Sequence, residues 1–239
     1  SGIQTRYCTV FPSLQSNSLI VVIGPSPSCL FLYNSRIMIA ILCAHHKNQI
    51  SSVWEIFAGE CGLMLPTLIV ASDVHGSTVA LRRLLQHAIS HRAQQILIAG
   101  DICPPASPAF KELLSQPVEF ILVRGNCDSS YDFSSAGINL PPLVQRLQWG
   151  QYPVVMTHGD RFPSPHGLEM EQGGIFISGH THAPRLMLGE DGILHINPGS
   201  TTFPRTASGP TYALFFEDGI SIRSLDEDRP LPSLQYYFL

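Results

Sequence analysis

The sequence predicts an α/β fold in which a parallel sheet covered by helices is joined by a second, antiparallel sheet. Two observations carry this. Between Leu65 and Val123 short apolar runs alternate with segments of helical period, and further on two Glu-Asp-Gly turns each separate a pair of apolar runs. Alternation of the first kind argues for parallel strands with crossover helices, and an Asp-Gly pair between apolar runs is a strong hairpin signal.

The ordered part of the text begins at Leu65. Thr67 to Ser72 is an apolar strand, followed by Leu81, Leu84, Leu85 and Ala88 at i, i+3, i+4 and i+7, the apolar stripe of an amphipathic helix. A second strand spans Gln95 to Ala99, a short helix around Phe110 to Leu114 follows two prolines, and a third strand spans Val118 to Val123. Helices on both faces of this sheet are expected. Later strands are Tyr152 to Met156 and Gly174 to Ser178, and the two hairpins are Leu186 to Ile196 and Tyr212 to Ile222. These predict an antiparallel second half, packed as a second sheet on the first.

Residues 1–64 read differently. They hold five charged residues (Arg6, Arg36, Lys47, Glu55 and Glu60), four of the six cysteines, and no sustained period of 2 or 3.6 residues. Met64 stands just ahead of the first strand, so the expectation is an atypical extension, 1–64, arising from a start assigned too early, ahead of a domain at 65–239. A regulatory or docking segment is the other reading. The apolar stretch from Leu19 to Ala44 is broken by Gly24, Pro25, Pro27, Asn34 and Arg36, which leaves no run of about 20 apolar residues to span a membrane.

Composition narrows the function classes. The 239 residues are 44% hydrophobic and 13% charged, material for one fair-sized core. A net charge of −4, with 14 Lys and Arg dispersed along the chain, gives no basic stripe and argues against a nucleic-acid partner. The cysteines form no CxxC pair and no regular spacing, which fits a reducing, cytoplasmic setting rather than a disulfide framework. A homo-oligomer is left open.

Five apolar strands each end in residues suited to a cation: Ser72-Asp73-Val74-His75-Gly76, Gly100-Asp101, Gly125-Asn126-Cys127-Asp128, Thr157-His158-Gly159-Asp160 and Gly179-His180-Thr181-His182. In sheets of this kind loops converge on a site at the carboxyl ends of the strands. Taken singly, Asp73 and Asp101 read equally well as helix-start residues and Asn126 as a turn residue; the ordered series behind five strands argues for a site. Carboxylate, imidazole and one amide suit Mn, Fe, Ni or Zn better than Ca or Mg. Seven such side chains (Asp73, His75, Asp101, Asn126, His158, His180 and His182) exceed one tetrahedral zinc and suit two divalent ions sharing a carboxylate.

The ordered series DVHG, GD, GNCD, THGD and GHTH resembles the calcineurin-like metallophosphoesterases, and the compact spacing with Asn197-Pro198-Gly199-Ser200 is similar to their small YfcE-like phosphodiesterase branch. The resemblance covers about Leu65 to Leu225. It implies a two-sheet αββα sandwich with the metal site on the rim formed by the carboxyl ends of the strands. It also implies that Asp73, His75 and His182 bind one ion and Asn126, His158 and His180 a second, with Asp101 bridging. The implied activity is hydrolysis of a small phosphodiester by a metal-bridging hydroxide, most plainly with Mn, with Asn126, Cys127 and His158 as catalytic residues. Where larger relatives carry GNH, this chain has Cys127, a thiol in place of a histidine that protonates the leaving alkoxide. Asp128 and Asp160 are expected to orient ligand imidazoles. The alternative on the same fold is a Vps29-like non-catalytic scaffold, whose rim serves protein contacts.

Outside the series, His87 and His91 are expected at boundary or solvated positions, the Asn197 to Ser200 segment as a structural turn near the site, and Arg161 and Arg205 either at a substrate phosphate or in solvent.

Overall fold

The structure, a computed structural model, describes residues 65–238 and two short strands in the region before them. The chain divides into two compact units, Ser1–Gly62 and Leu63–Leu239. In the first, β1 (Leu32–Asn34) pairs antiparallel with β2 (Ile37–Ile39), Tyr33 opposite Met38. The expectations about the remainder of residues 1–64 lie outside the described residues. No helix among the described residues is long and apolar enough to cross a membrane.

In the second unit, β3 (Leu68–Ala71), β4 (Gln95–Ala99) and β5 (Glu119–Val123) are parallel, with Ala71 opposite Ile98 and Ala99 opposite Val123. The helix α1 (Thr78–His91) links β3 to β4, and α2 (Pro108–Leu114) links β4 to β5. Ser77 caps α1 by accepting from the Ala80 amide at 3.1 Å, and Arg92 ends it in the left-handed conformation. Pro108 sits in the first turn of α2, where its missing N–H costs nothing.

The predicted hairpins form, but they serve different sheets. β11 (Thr211–Phe216) and β12 (Gly219–Ser224) add antiparallel to β3, and β13 (Pro230–Tyr237) completes a six-stranded sheet of order β13-β12-β11-β3-β4-β5. The second sheet has order β6-β7-β8-β10-β9, from β6 (Val144–Trp149), β7 (Tyr152–Thr157), β8 (Ile175–Ile177), β9 (Arg185–Leu188) and β10 (Leu194–Asn197). Its centre, β7, β8 and β10, is parallel, and only the edges β6 and β9 are antiparallel. The antiparallel second half read from the turns is thus corrected: the turns fix local hairpins and leave the pairing of distant strands open.

Strand alternation divides the core. Ile69, Ala71, Ile96 and Ile98 face the helices, where Leu81, Leu84, Leu85 and Ala88 of α1 and Phe110 and Leu113 of α2 bury against them, joined by Phe133 of α3 (Ser130–Ser135). Leu68, Val70, Leu97 and Ala99 face the other way and pack on Val154, Met156, Ile175 and Ile177 of the second sheet. Helices therefore cover one face of the parallel strands and a sheet covers the other, which corrects the expectation of helices on both. A smaller cluster of Val155, Leu168, Phe176 and Ile193 closes the outer face of the second sheet.

One polar network ties α1 to the far end of the first sheet. Asp228 accepts from Tyr212 of β11, from Arg223 Nε of β12 at 2.8 Å and from His91 Nε2 at 2.8 Å. His87 stacks on Tyr212, ring centroids 4.9 Å apart, with Nε2 2.8 Å from the Leu225 carbonyl. Both histidines occupy boundary positions, as expected. Burial opposes ionisation of Asp228, but the hydrogen bonds from Tyr212, Arg223 and His91 outweigh it and hold the carboxyl at about 2, below its ordinary 3.8. A depressed folded value contributes stability above the unfolded value and loses it as pH falls through the folded one. Asp228→Asn is therefore expected to lower Tm by an amount that is full above about pH 4 and closes toward about pH 2, read by thermal melts across that range.

Candidate metal centre

The carboxyl ends of β3, β4, β5, β7 and β8 lie side by side, and the loops that leave them are stitched together by backbone hydrogen bonds. The Asp73 amide donates to Gly100 O at 3.1 Å, His75 to Asp101 O at 2.9 Å, Gly76 to Ile102 O at 2.8 Å and Gly179 to His158 O at 2.7 Å. The two sheets meet where the His180 amide donates to Asp73 Oδ2 at 3.2 Å. Asp73, His75, Asp101, His180 and His182 all have left-handed backbone, φ between 47° and 66°. Non-glycine residues adopt it rarely and at a cost of about 1–3 kcal/mol each, and such strain clusters at functional sites.

This backbone brings five of the seven predicted side chains onto one spot. His182 Nε2 lies 3.1 Å from Asp73 Oδ1, and His75 Nε2 lies 3.9 Å from both Asp73 Oδ1 and Asp101 Oδ2. His158 Nε2 is 3.4 Å from Asp101 Oδ2 and 3.1 Å from Asn126 Oδ1. Three overlapping groups suited to a cation result among the described residues, Asp73–His75–His182, Asp73–Asp101–His158 and His75–Asp101–Cys127, each with donor atoms within 4.8 Å of one another. Asn126 joins through His158. His180 stands on the solvent side, its ring edge-on to His158 at 5.1 Å.

Asp73 is fully buried and Asp101 is 2% exposed. Two atoms at the centre, Asp73 Oδ1 and His75 Nε2, are buried without any hydrogen-bond partner. Each such group costs about 1–3 kcal/mol. An ion with bonds of about 2.0–2.2 Å bridges donors about 3–4 Å apart, so the donor set fits a divalent transition metal. Burial, the largest influence on both Asp101 and His158, disfavours their charges, but their mutual hydrogen bond and attraction win. With the Cys127 amide on Asp101 and the Ala99 carbonyl on His158, Asp101 is lowered to about 2 and His158 raised to about 9.

The imidazoles are aimed by backbone, not by the expected carboxylates. His158 Nδ1 meets Ala99 O at 2.8 Å and His182 Nδ1 meets Phe203 O at 2.7 Å, which turns each Nε2 inward. Asp128 touches no imidazole: it accepts from the Cys103 amide at 2.7 Å and the Gly125 amide at 2.8 Å, pinning two loops together. Burial outweighs those donors and raises its pKa. Asp160 lies 3.8 Å from the exposed Arg161. Arg205 is exposed, and its amide donates to His182 O at 3.1 Å. The Asn197 to Ser200 turn is a brace, with Asn197 Nδ2 donating to Gly179 O at 2.7 Å and Ser200 Oγ to Asp73 O at 3.1 Å. The Cys127 amide donates to Asp101 Oδ1 at 2.8 Å, and the thiol lies within 4.8 Å of donor atoms of His75 and Asp101. Backbone carbonyls at Ala99 and Phe203 left no trace in the sequence, because any residue supplies one.

Residues 67–218 match the calcineurin-like phosphoesterase superfamily domain. The chain belongs to that superfamily. Within it, the chain is 30% identical over 173 residues to phosphodiesterase YfcE of Escherichia coli, covering 67% of this chain and 92% of that one. It is 34% identical over 116 residues to a probable metallophosphoesterase of Methanothermobacter thermautotrophicus, 46% of this chain and 62% of that. The solved YfcE phosphoesterase from E. coli superposes with a TM-score of 0.63 at 28% identity, over 72% of this chain and all of that one. Vacuolar protein sorting 29 of Cryptosporidium parvum shares the fold alone, at TM-score 0.53 and 18% identity over 73% of this chain and all of that one. The superfamily implies divalent metals, and the donor set described above fits them.

Close approach explains one glycine of this superfamily site. A Cβ on Gly125 would enter the Asp101 carboxylate and press on the Asp101 backbone nitrogen, although the backbone there is not left-handed. Gly125→Ala is therefore expected to lower Tm and, in the folded protein, to reduce Mn affinity in calorimetric titration about 10–100-fold, the usual cost of displacing the support of a ligand.

Proposed function

We propose that the chain is a phosphodiesterase using two divalent ions, with Asp73, His75 and His182 holding one, Asn126, His158 and His180 the other, and Asp101 shared. The observation that carries this reading is the pair of partnerless buried atoms, Asp73 Oδ1 and His75 Nε2, facing His182 Nε2 at the rim where five strands end. The resemblance to phosphodiesterase YfcE supplies the reaction class. Bound there, the ions would supply Lewis acidity to the phosphate oxygens and a water acidified to near neutrality.

The chain's own residues set the rest. Asp101 faces both donor groups, with Oδ1 held by the Cys127 amide and Oδ2 left toward His75 and His158. The carbonyls of Ala99 and Phe203 keep the imidazole Nε2 atoms of His158 and His182 turned to the centre. Burial first, then the hydrogen bond and negative charge of Asp101, push the Cys127 thiol up to about 11, so it keeps its proton near neutrality. A thiol so held is a poor proton donor to a departing alkoxide. Diesters with leaving groups that depart unprotonated are therefore favoured over alkyl monoesters. The net charge of −4 favours a small diester over a long polynucleotide. The mixed donor set suits Mn, Fe, Ni or Zn, of which Mn is the ion proposed, and the irregular cysteine spacing supports a reducing, cytoplasmic setting. A scaffold of the Vps29 kind has no need of seven competent donors, and their presence favours catalysis.

Mn-loaded protein is expected to hydrolyse bis(p-nitrophenyl) phosphate faster than p-nitrophenyl phosphate, and Asp73→Asn or His182→Ala to lose at least about 100-fold, beyond the cost of disturbing an outer residue. Turnover that survives in both variants, or none with any divalent ion bound, contradicts the assignment. Cys127→His is expected to raise alkyl-ester cleavage relative to aryl-ester cleavage about tenfold or more; an unchanged ratio removes Cys127 from the leaving-group step.

A further inference from the structure

Phe203 is 58% exposed, yet nothing about its loop is loose. Its amide donates to Ser200 Oγ at 2.9 Å, the neighbouring Thr202 amide to the same oxygen at 3.2 Å, and Thr202 Oγ1 to Val74 O at 2.8 Å. Ser200 is itself buried and donates to Asp73 O. A large apolar side chain held out by such anchoring is displayed rather than frayed. Scattered exposed apolar residues need no explanation, but this one has a defined neighbour: its ring lies 5.1 Å from the ring of His75, tilted by 53°. Its carbonyl meets His182 Nδ1. The ring therefore forms the apolar margin of a centre whose other walls are carboxylates, imidazoles and an amide.

A phosphodiester carries an anionic phosphate and two ester groups. The polar centre accommodates the phosphate; an ester group needs an apolar surface beside it. A fixed aromatic face suits a flat ring, by stacking that tolerates any ring chemistry. We infer that Phe203 is a substrate-binding residue that stacks against a flat aromatic group, aryl or heteroaryl, on the phosphoester, and so selects ring-bearing esters over aliphatic ones. This rests on the phosphodiesterase reading above. It adds the class of ester group and the residue that reads it.

The test is calorimetric binding of phenylphosphonate and methylphosphonate to the Mn-loaded full chain, in wild type, Phe203→Ala, Phe203→Leu and Phe203→Trp. Mn affinity and melting temperature are measured alongside. The expected result is that Phe203→Ala weakens phenylphosphonate roughly fivefold and leaves methylphosphonate and Mn within about twofold, the margin set by a role confined to the ring. Phe203→Leu falls between, and Phe203→Trp matches or exceeds wild type. Equal weakening of both phosphonates, or a parallel loss of Mn affinity, overturns the inference in favour of a structural role through His182. Unchanged phenylphosphonate binding in Phe203→Ala overturns it outright. Failure of Mn-loaded wild type to bind either phosphonate overturns the phosphodiesterase reading itself, and this inference with it.

Discussion

Two buried carboxylates side by side, one of them short of a donor, are the constraint around which this molecule is arranged. Asp73 and Asp101 have 0% and 2% of their surface exposed, and the hydrogen bonds they accept come mostly from backbone amides of neighbouring loops. A buried carboxylate short of partners is expensive, and a left-handed backbone under it adds more. The arrangement persists because it rides on a core that does not depend on it. Five strand ends converge with their apolar sides already committed, Ile69 and Ile98 to the helices and Val70 and Leu97 to the second sheet. The rim carries the strain, and the layers beneath carry the stability.

The two sheets divide the centre between them. The first contributes Asp73, His75, Asp101 and Asn126 from the loops after β3, β4 and β5; the second contributes His158, His180 and His182 from those after β7 and β8. Sheet-to-sheet packing therefore sets the separation of carboxylates and imidazoles, and small shifts at Val154, Met156 or Ile177 would be felt as changed donor distances. Cross-sheet bonds hold the alignment at the rim itself, the His180 amide on Asp73 and His158 Nδ1 on Ala99 O, and the sheets approach closely at Gly179, whose Cβ would enter Ser72. Asp128 belongs to this bracing, tying the loop after β5 to the loop after β4 through two amides.

What the sequence displayed was whatever repeats with a period. The stripe Leu81, Leu84, Leu85 and Ala88 is buried along α1, and the apolar runs became strands within a residue or two of their read boundaries. Three elements carried too little signal. Val144 to Trp149 alternates imperfectly through Gln145 and Arg146, the six residues of α3 hold one buried side chain, and β13 contains Pro230 and Pro232, which an edge strand tolerates and a central one does not. Sheet membership was also hidden, since Tyr212 to Ile222 makes the same hairpin whether β11 pairs with β3 or with a strand of the other sheet. At the site, residue types announced the donors, but their orientation did not show. The atoms that aim His158 and His182 are carbonyls, and Asp128, read as an imidazole partner, serves amides instead.

The fold by itself does not decide between an enzyme and a scaffold, because it is shared at 18% identity with vacuolar protein sorting 29. The deciding quantity is local cost. Asp73 Oδ1 and His75 Nε2 have no hydrogen-bond partner as they stand, and the left-handed turns beneath Asp73, His75, Asp101, His180 and His182 are each less stable than an ordinary loop would be. A rim used only for protein contacts could carry apolar or singly satisfied residues at these places and be more stable for it, as replacement of buried charges often is. A divalent ion bound as proposed would turn the same set from a penalty into a favourable interaction, since the orphaned oxygen and nitrogen would be its donors. Counting a cation as part of the centre, as proposed, would offset that local cost.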